Sequence, residues 1–188
     1  RFLFSKGEGV LLAGEIRNRP ASQTVLGLGG WMYTAALDML EAGPSGPRRV
    51  HGNAGLYGLV EGLLYSPDPR NRAGLRGWLR AGLADDRINA VDYYAGGGLV
   101  YNGPFRREAD QIGIAVAYAH FGEPGRRAAL VAGQSLGTGE TNIELTYSLA
   151  VADLVTIQPD LQYVISPGAD RDIPDALVVG TRIVLAWP

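Results

Sequence analysis

The sequence predicts an all-β protein, an antiparallel transmembrane β-barrel built as a meander, and three observations carry that expectation. Nine segments alternate apolar and polar residues with the period of two that sends neighbouring side chains to opposite faces of a strand. Stretches rich in Gly, Pro and Asp punctuate them, and no segment keeps a helical period for long. Tyr and Trp fall near the ends of the apolar faces, where a girdle at the two membrane interfaces belongs.

The segments follow in order. Residues 8–18 put Glu15 and Arg17 on the polar side and stop at Arg19-Pro20; residues 23–33 carry Trp31. Residues 37–40 allow one short helical turn before the breaker Gly43-Pro44-Ser45-Gly46-Pro47. Residues 52–65 place Glu61 on the polar side and end at Ser66-Pro67-Asp68-Pro69; residues 73–84 do the same with Arg76 and Arg80, ending at Asp85-Asp86. In 89–102 the polar side holds Asp92, Tyr94 and Asn102, with Tyr93 and Tyr101 near the ends of the apolar side. Residues 110–120 end beside Tyr118 and lead to Glu123-Pro124-Gly125. The clearest alternation lies in 139–151, where Thr141, Ile143, Leu145, Tyr147 and Leu149 oppose Glu140, Asn142, Glu144, Thr146 and Ser148. Residues 154–165 oppose Gln158, Asp160 and Gln162 to Ile157, Leu161 and Tyr163, and residues 176–187 add Arg182 and Trp187. The long connections 36–50, 122–138 and 166–175 fall at one end of such a meander and the tight 152–153 at the other, as in outer-membrane barrels; the short 85–88 is the exception.

Composition removes other classes. No apolar run approaches the roughly 18 to 20 residues that a membrane helix needs, whereas barrel strands of about 10 alternating residues leave the average composition ordinary. Without Cys there is no disulfide framework or thiolate metal site. A net charge of -2 and a single Lys, Lys6, leave no basic face for nucleic acid. Alternation does not say which face points inward, since a soluble lipocalin-like barrel hides its apolar face and a membrane barrel displays it. The aromatic placement and the scarcity of Lys on the polar faces favour lipid outside. The amino terminus, Arg1-Phe2-Leu3-Phe4 followed by Ser5-Lys6-Gly7-Glu8, does not read as a secretion leader.

Ile157-Gln158-Pro159-Asp160-Leu161-Gln162-Tyr163-Val164-Ile165-Ser166-Pro167-Gly168 and, after it, Pro174-Asp175-Ala176-Leu177-Val178-Val179-Gly180-Thr181-Arg182 resemble the end of the carbohydrate-selective porins, the OprB family. Glu140 to Tyr147, Asn53-Ala54-Gly55-Leu56-Tyr57 with Glu61, and Gly27-Leu28-Gly29-Gly30-Trp31-Met32-Tyr33 are similar as well. The resemblance implies a sixteen-stranded barrel of the bacterial outer membrane through which sugars diffuse passively, with lipid outside and no cofactor; it leaves self-association into a homo-oligomer open. About nine strands are too few for that barrel, and odd in number, so residues 1–188 are expected to form the carboxy-terminal portion of one barrel domain whose amino-terminal part lies outside this chain. The candidate lumen residues are Glu15, Arg17, Glu61, Arg76, Arg80, Asp92, Glu144, Asp160, Gln162 and Arg182, with Trp31 and Tyr94 as stacking partners for a sugar ring.

Other motifs carry little. Gly133-Gln134-Ser135-Leu136-Gly137 has the letters of a serine-hydrolase elbow, but no His follows Ser135 and no parallel α/β sheet is expected, so no catalytic residue is assigned. His51 and His120 lack metal-ligand spacing, and Gly96-Gly97-Gly98 precedes no helix that would complete a phosphate cradle. A soluble β-barrel binding a small apolar ligand remains the alternative function, with a membrane-barrel hydrolase third.

Overall fold

Every alternating segment becomes a strand, and each pairs antiparallel with the one before it. In the computed structural model, which describes residues 9–21, 23–43, 46–67 and 73–187, the order is β1 (Leu11–Ala21), β2 (Thr24–Asp38), β3 (Arg49–Tyr65), β4 (Gly74–Ala84), β5 (Val91–Asn102), β6 (Gln111–Phe121), α1 (Glu123–Val131), β7 (Gly139–Ala152), β8 (Val155–Ile165) and β9 (Ala176–Leu185). The sheet runs β1 to β9 without a crossover. Glu8, the expected start of the first segment, lies outside the described residues, as do the rest of 1–8 and the turn residues Pro44, Ser45, Asp68 and Pro69.

Two expectations are corrected. Residues 37–40 form no helical turn: β2 runs on to Asp38, with Leu37 and Asp38 paired to Val50 and Arg49. The register slips between Tyr33 and Ala36, so the period of two breaks there although the ladder resumes. In the connection 122–138, Glu123-Pro124-Gly125 opens a helix rather than a plain loop. Pro costs little in a first turn, whose amides have no intrahelical acceptor. Glu123 suits the positive helix start and also pairs with Arg127 one turn on.

Register makes the two faces explicit, because directly paired residues stand on the same side. Ile143 pairs with Val116 and Tyr163, Val116 with Gly97, and Gly97 with Leu79. Leu28, Leu56, Leu79, Ile114, Leu145 and Val179 share that apolar face and are between 48 and 75% exposed. Among the described residues the buried apolar side chains are only Ala35, Pro104, Ala129 and Ala169. A sheet with so much bare aliphatic surface has no core of its own, and that face needs a non-aqueous cover. Its aromatic residues sit in two rows. Tyr93, Tyr118 and Tyr163 lie toward the end with the long connections, and Tyr65, Tyr101 and Tyr147 toward the other, with Trp187 just beyond β9. Tyr93 and Tyr101 are eight residues apart on β5, about 26 Å along a strand, which spans the roughly 25 Å apolar band of an outer-membrane barrel with allowance for tilt.

Both ends are tied. At the long-connection end the Leu40 amide donates to the Arg87 carbonyl at 2.8 Å, Gly122 to Ala90 at 3.0 Å and Arg171 to Ser135 at 3.0 Å, while Arg127 reaches Glu41 at 3.6 Å. In the turn 85–90, Arg87 clasps Asp85 and holds its carboxyl below the usual carboxylate range. At the opposite end Asp110 is fully buried and accepts from Arg107 at 2.5 Å, from the Tyr147 hydroxyl at 2.8 Å and from the Ala150 amide at 3.0 Å. Those donors, Arg107 foremost, hold its carboxyl low and fasten the β5–β6 turn to β7.

Candidate functional site

The polar face is the candidate site, and its residues fall into two bands. On β1 to β5, one row of paired residues reads Glu15, Gly29, Tyr57, Gly82, Tyr94; the next on the same face reads Arg17, Gly27, Leu59, Arg80, Gly96; the third reads Val25, Glu61, Trp78, Gly98. Three such rows occupy about 13 Å of strand length. Trp31, paired with Ala13 and Gly55, stands one row above, and Arg76, paired with Leu63 and Val100, one row below. Glu15 is ion-paired with Arg17 and accepts from the Tyr57 hydroxyl at 2.8 Å. Arg80 lies over the Trp78 ring, 5.0 Å from its centroid.

Glycine explains why bulky rings fit there. A Cβ at Gly55 would stand 2.6 Å from the Trp31 indole nitrogen, one at Gly98 2.8 Å from that of Trp78, and one at Gly29 2.5 Å from the Tyr57 hydroxyl. Each ring therefore lies over a neighbouring strand in the space an absent side chain leaves, and the rings stay close to the wall.

The second band is amide and carboxylate. On β7 and β8, Glu144 pairs with Gln162 and Thr146 with Asp160; on β9, Arg182 pairs with Gln158. Asn142 donates to Gln162 at 3.2 Å, Gln162 to Asp160 at 3.2 Å, and Gln158 to Thr146 at 2.9 Å. Between the bands β6 presents Gly113, Ala115, Ala117 and Ala119, a smooth strip of small residues.

Eleven of the twelve candidate residues thus share one face: Glu15, Arg17, Trp31, Glu61, Arg76, Arg80 and Tyr94 in the first band, Glu144, Asp160, Gln162 and Arg182 in the second. Asp92 stands apart. It sits in a bulge between Val91 and Tyr93 at the long-connection rim, 2.6 Å from Nδ1 of His120, whose ring stacks on Tyr93 at 4.4 Å. Tyr57, Trp78, Asn142 and Gln158 join the site although they were not singled out. The alternation that found Glu61 also marks Tyr57, and Trp78 lies between Arg76 and Arg80, so the signal was present. Ser135 follows α1 in a loop, with its carbonyl bonded to Arg171, so the strand-to-helix turn of a hydrolase elbow is absent there. A concavity of about 1500 Å³ is lined mainly by apolar-face residues such as Leu26, Val60, Leu79, Leu99 and Ile114, and so lies on the face opposite these polar residues. Among the described residues no cluster of three or more His, Asp or Glu could hold a metal ion, and no helix is long and apolar enough to cross a membrane.

Comparison with known proteins bears on the family and the fold. The sequence profile of the carbohydrate-selective porins, OprB family, matches residues 1–186. Porin B of Pseudomonas aeruginosa is 34% identical over 113 residues, covering 53% of this chain and 25% of that protein. The high-pH structure of Pseudomonas putida OprB superposes with a TM-score of 0.86 at 24% identity, over 95% of this chain and 49% of that one. The low-pH structure of the same protein gives 0.55 at 20% identity, over 92% and 54%. The chain thus spans a quarter of the Porin B sequence and about half of the P. putida chain.

Proposed function

The chain belongs to the carbohydrate-selective porins of the OprB family, and from that premise we propose that it forms part of an outer-membrane barrel through which sugars diffuse passively. The observation that carries this reading is the division of one sheet into a lipid-compatible face with aromatic residues toward both ends and an opposite face that carries two bands of polar residues.

Topology supports the need for further strands. In an antiparallel meander β1 and β9 run the same way, so closing one on the other would make a parallel pair. An antiparallel barrel therefore takes an odd number of additional strands, and seven would give sixteen. Residues 1–188 are on this reading the carboxy-terminal portion of a single barrel domain.

The polar wall then works by substitution for water. Carboxylates such as Glu61 and Glu144 accept hydroxyl hydrogens of a passing sugar, Arg76 and Arg182 donate, and Trp31, Tyr57, Trp78 and Tyr94 offer ring faces to the apolar side of a pyranose. A solute keeps its hydrogen bonds as it sheds part of its hydration, and its concentration gradient alone drives net flux. A soluble barrel around an apolar ligand would instead need the apolar face turned inward and covered.

Liposome swelling by the complete barrel tests the reading. Glucose should enter in minutes or less, without ATP and regardless of uncouplers, and larger oligosaccharides more slowly. Swelling no faster than in protein-free liposomes, or a stable monomer in buffer without detergent, would defeat it.

A further inference from the structure

Trp78 and Arg80 stand two residues apart on β4, on the same polar face, with Glu61 paired to Trp78 on β3. The indole lies close over Gly98 of β5, where a Cβ would stand 2.8 Å from its nitrogen, so the neighbouring strand backs the ring. Arg80 rests over this ring, its guanidinium 5.0 Å from the centroid. Arg80 has an alternative it does not use. Carboxylates of Glu15 and Glu61 occupy the adjacent rows, yet among the described residues Arg80 makes no ion pair, while Arg17 in its own row is paired with Glu15. Arg80 is also exposed, so its charge stays hydrated and its hold on the ring is weak.

We infer that Arg80 is a specificity-determining residue that competes with a passing sugar for the Trp78 indole, making that ring a subsite open only when the guanidinium swings away. The inference rests on the reading of this face as a sugar-conducting wall. A guanidinium and the apolar face of a pyranose both stack on an indole, and one ring side accommodates one of them. A neutral sugar that displaces Arg80 gains the ring and meets Glu61 across the row as an acceptor for its hydroxyls. A solute without a ring face gains nothing to offset the displacement, so the pair discriminates cyclic sugars from linear polyols of similar size. With a cation–π contact of exposed strength, the indole is free about a sixth to a third of the time, and apparent affinity falls to that fraction of its value for a free ring. Weak, rapidly reversed binding of this kind suits a channel, because a tightly held sugar would block it.

The test uses the complete barrel in planar bilayers, with glucose as the probe and half-blocking concentration read from ion-current noise. Arg80→Ala should lower that concentration about three- to six-fold. The same substitution in a Trp78→Ala background should leave it unchanged, and in a Trp78→Phe background should retain part of the gain. Heat-modifiable mobility on gels establishes that each variant has folded. Weaker glucose binding in Arg80→Ala would make Arg80 a direct hydrogen-bond donor and overturn the inference. An equal change with and without the indole would overturn it as well. Wild-type barrels that conduct ions but show neither glucose block nor glucose swelling would sink the sugar reading itself; swelling with no effect of Trp78 on block would sink the subsite alone.

Discussion

Leu79 offers the sharpest test of which face meets lipid. It pairs with Gly97, four residues from Tyr93 and four from Tyr101, and so lies midway between the aromatic rows, with about 13 Å of strand to either interface. An arginine there cannot bring its guanidinium out of the apolar band without strain, and Leu79→Arg should cost about 2 to 4 kcal/mol. Leu145 is two residues, about 7 Å, from Tyr147. An arginine at Leu145 can snorkel to that row, so Leu145→Arg should cost less, about 1 to 2 kcal/mol between the midplane and interface values. Glu144, its sequence neighbour on the other face, should accept Arg at under about 1 kcal/mol, since a wet lumen solvates either charge. Equilibrium folding of the complete barrel into lipid vesicles against denaturant would give all three values. A Glu144→Arg cost as large as that of Leu79→Arg would refute the facial assignment; equal costs for Leu79→Arg and Leu145→Arg would refute the depth assignment.

Other perturbations address the wall and the ends. Arg76 and Arg80 have no ion-pair partner among the described residues, so replacing both with Ala should shift selectivity toward cations, read as a changed reversal potential in a salt gradient, with a smaller change in neutral-sugar flux. Abolished sugar flux at an unchanged reversal potential would mean that these arginines are structural. Asp110→Asn should lower the denaturant midpoint at neutral pH by weakening the bond to Arg107. Because the folded carboxyl is held below its ordinary value of 3.8, its contribution is full above that value and is lost as pH falls through the lower folded value. The deficit of the Asn variant should therefore shrink only below about pH 4, which unfolding midpoints across an acid series would show. Gly98→Ala should destabilise by about 1 to 3 kcal/mol and shift tryptophan emission, since its Cβ would meet the Trp78 indole nitrogen and the Ile114 carbonyl oxygen, both at 2.8 Å.

The strands were legible because period two is a local property that every one of them obeys. Glu140 to Leu149 displays it residue by residue, and the face assignments of Glu15, Glu61, Arg76 and Arg182 follow from counting. Legibility failed where geometry departs from a plain ladder. The slip between Tyr33 and Ala36 disguised the end of β2 as a helical turn, and the bulge at Asp92 carried a polar-face residue to the rim beside His120. The helix α1 was hidden by Pro124 and Gly125, which mark a loop in most contexts but lie in the permissive first turn here. Pairing across strands was not legible at all. No local pattern shows that Trp78 lies opposite Glu61 and over Gly98, because strand register adds over several turns.

That non-local fact links the glycine content to the proposed channel. An upright indole or phenol at mid-height would project across the lumen and narrow it, and a wall of small side chains would give a sugar ring nothing to stack on. On the proposed reading, laying Trp31 over Gly55, Tyr57 over Gly29 and Trp78 over Gly98 serves both ends, since each ring takes the volume of a missing side chain and stays close to the wall. Glycine weakens a strand through its conformational freedom, by roughly 0.5 to 1 kcal/mol relative to Ala, and the ring that covers it restores part of that by shielding its backbone. The exchange constrains both partners: enlarging the glycine displaces the ring, and truncating the ring uncovers the glycine. Stability and solute contact are therefore coupled at these pairs, and Trp78→Ala should lose sugar contact and strand stability together, whereas Glu144→Ala on the amide and carboxylate wall, which covers no glycine, should alter contact with little change in stability.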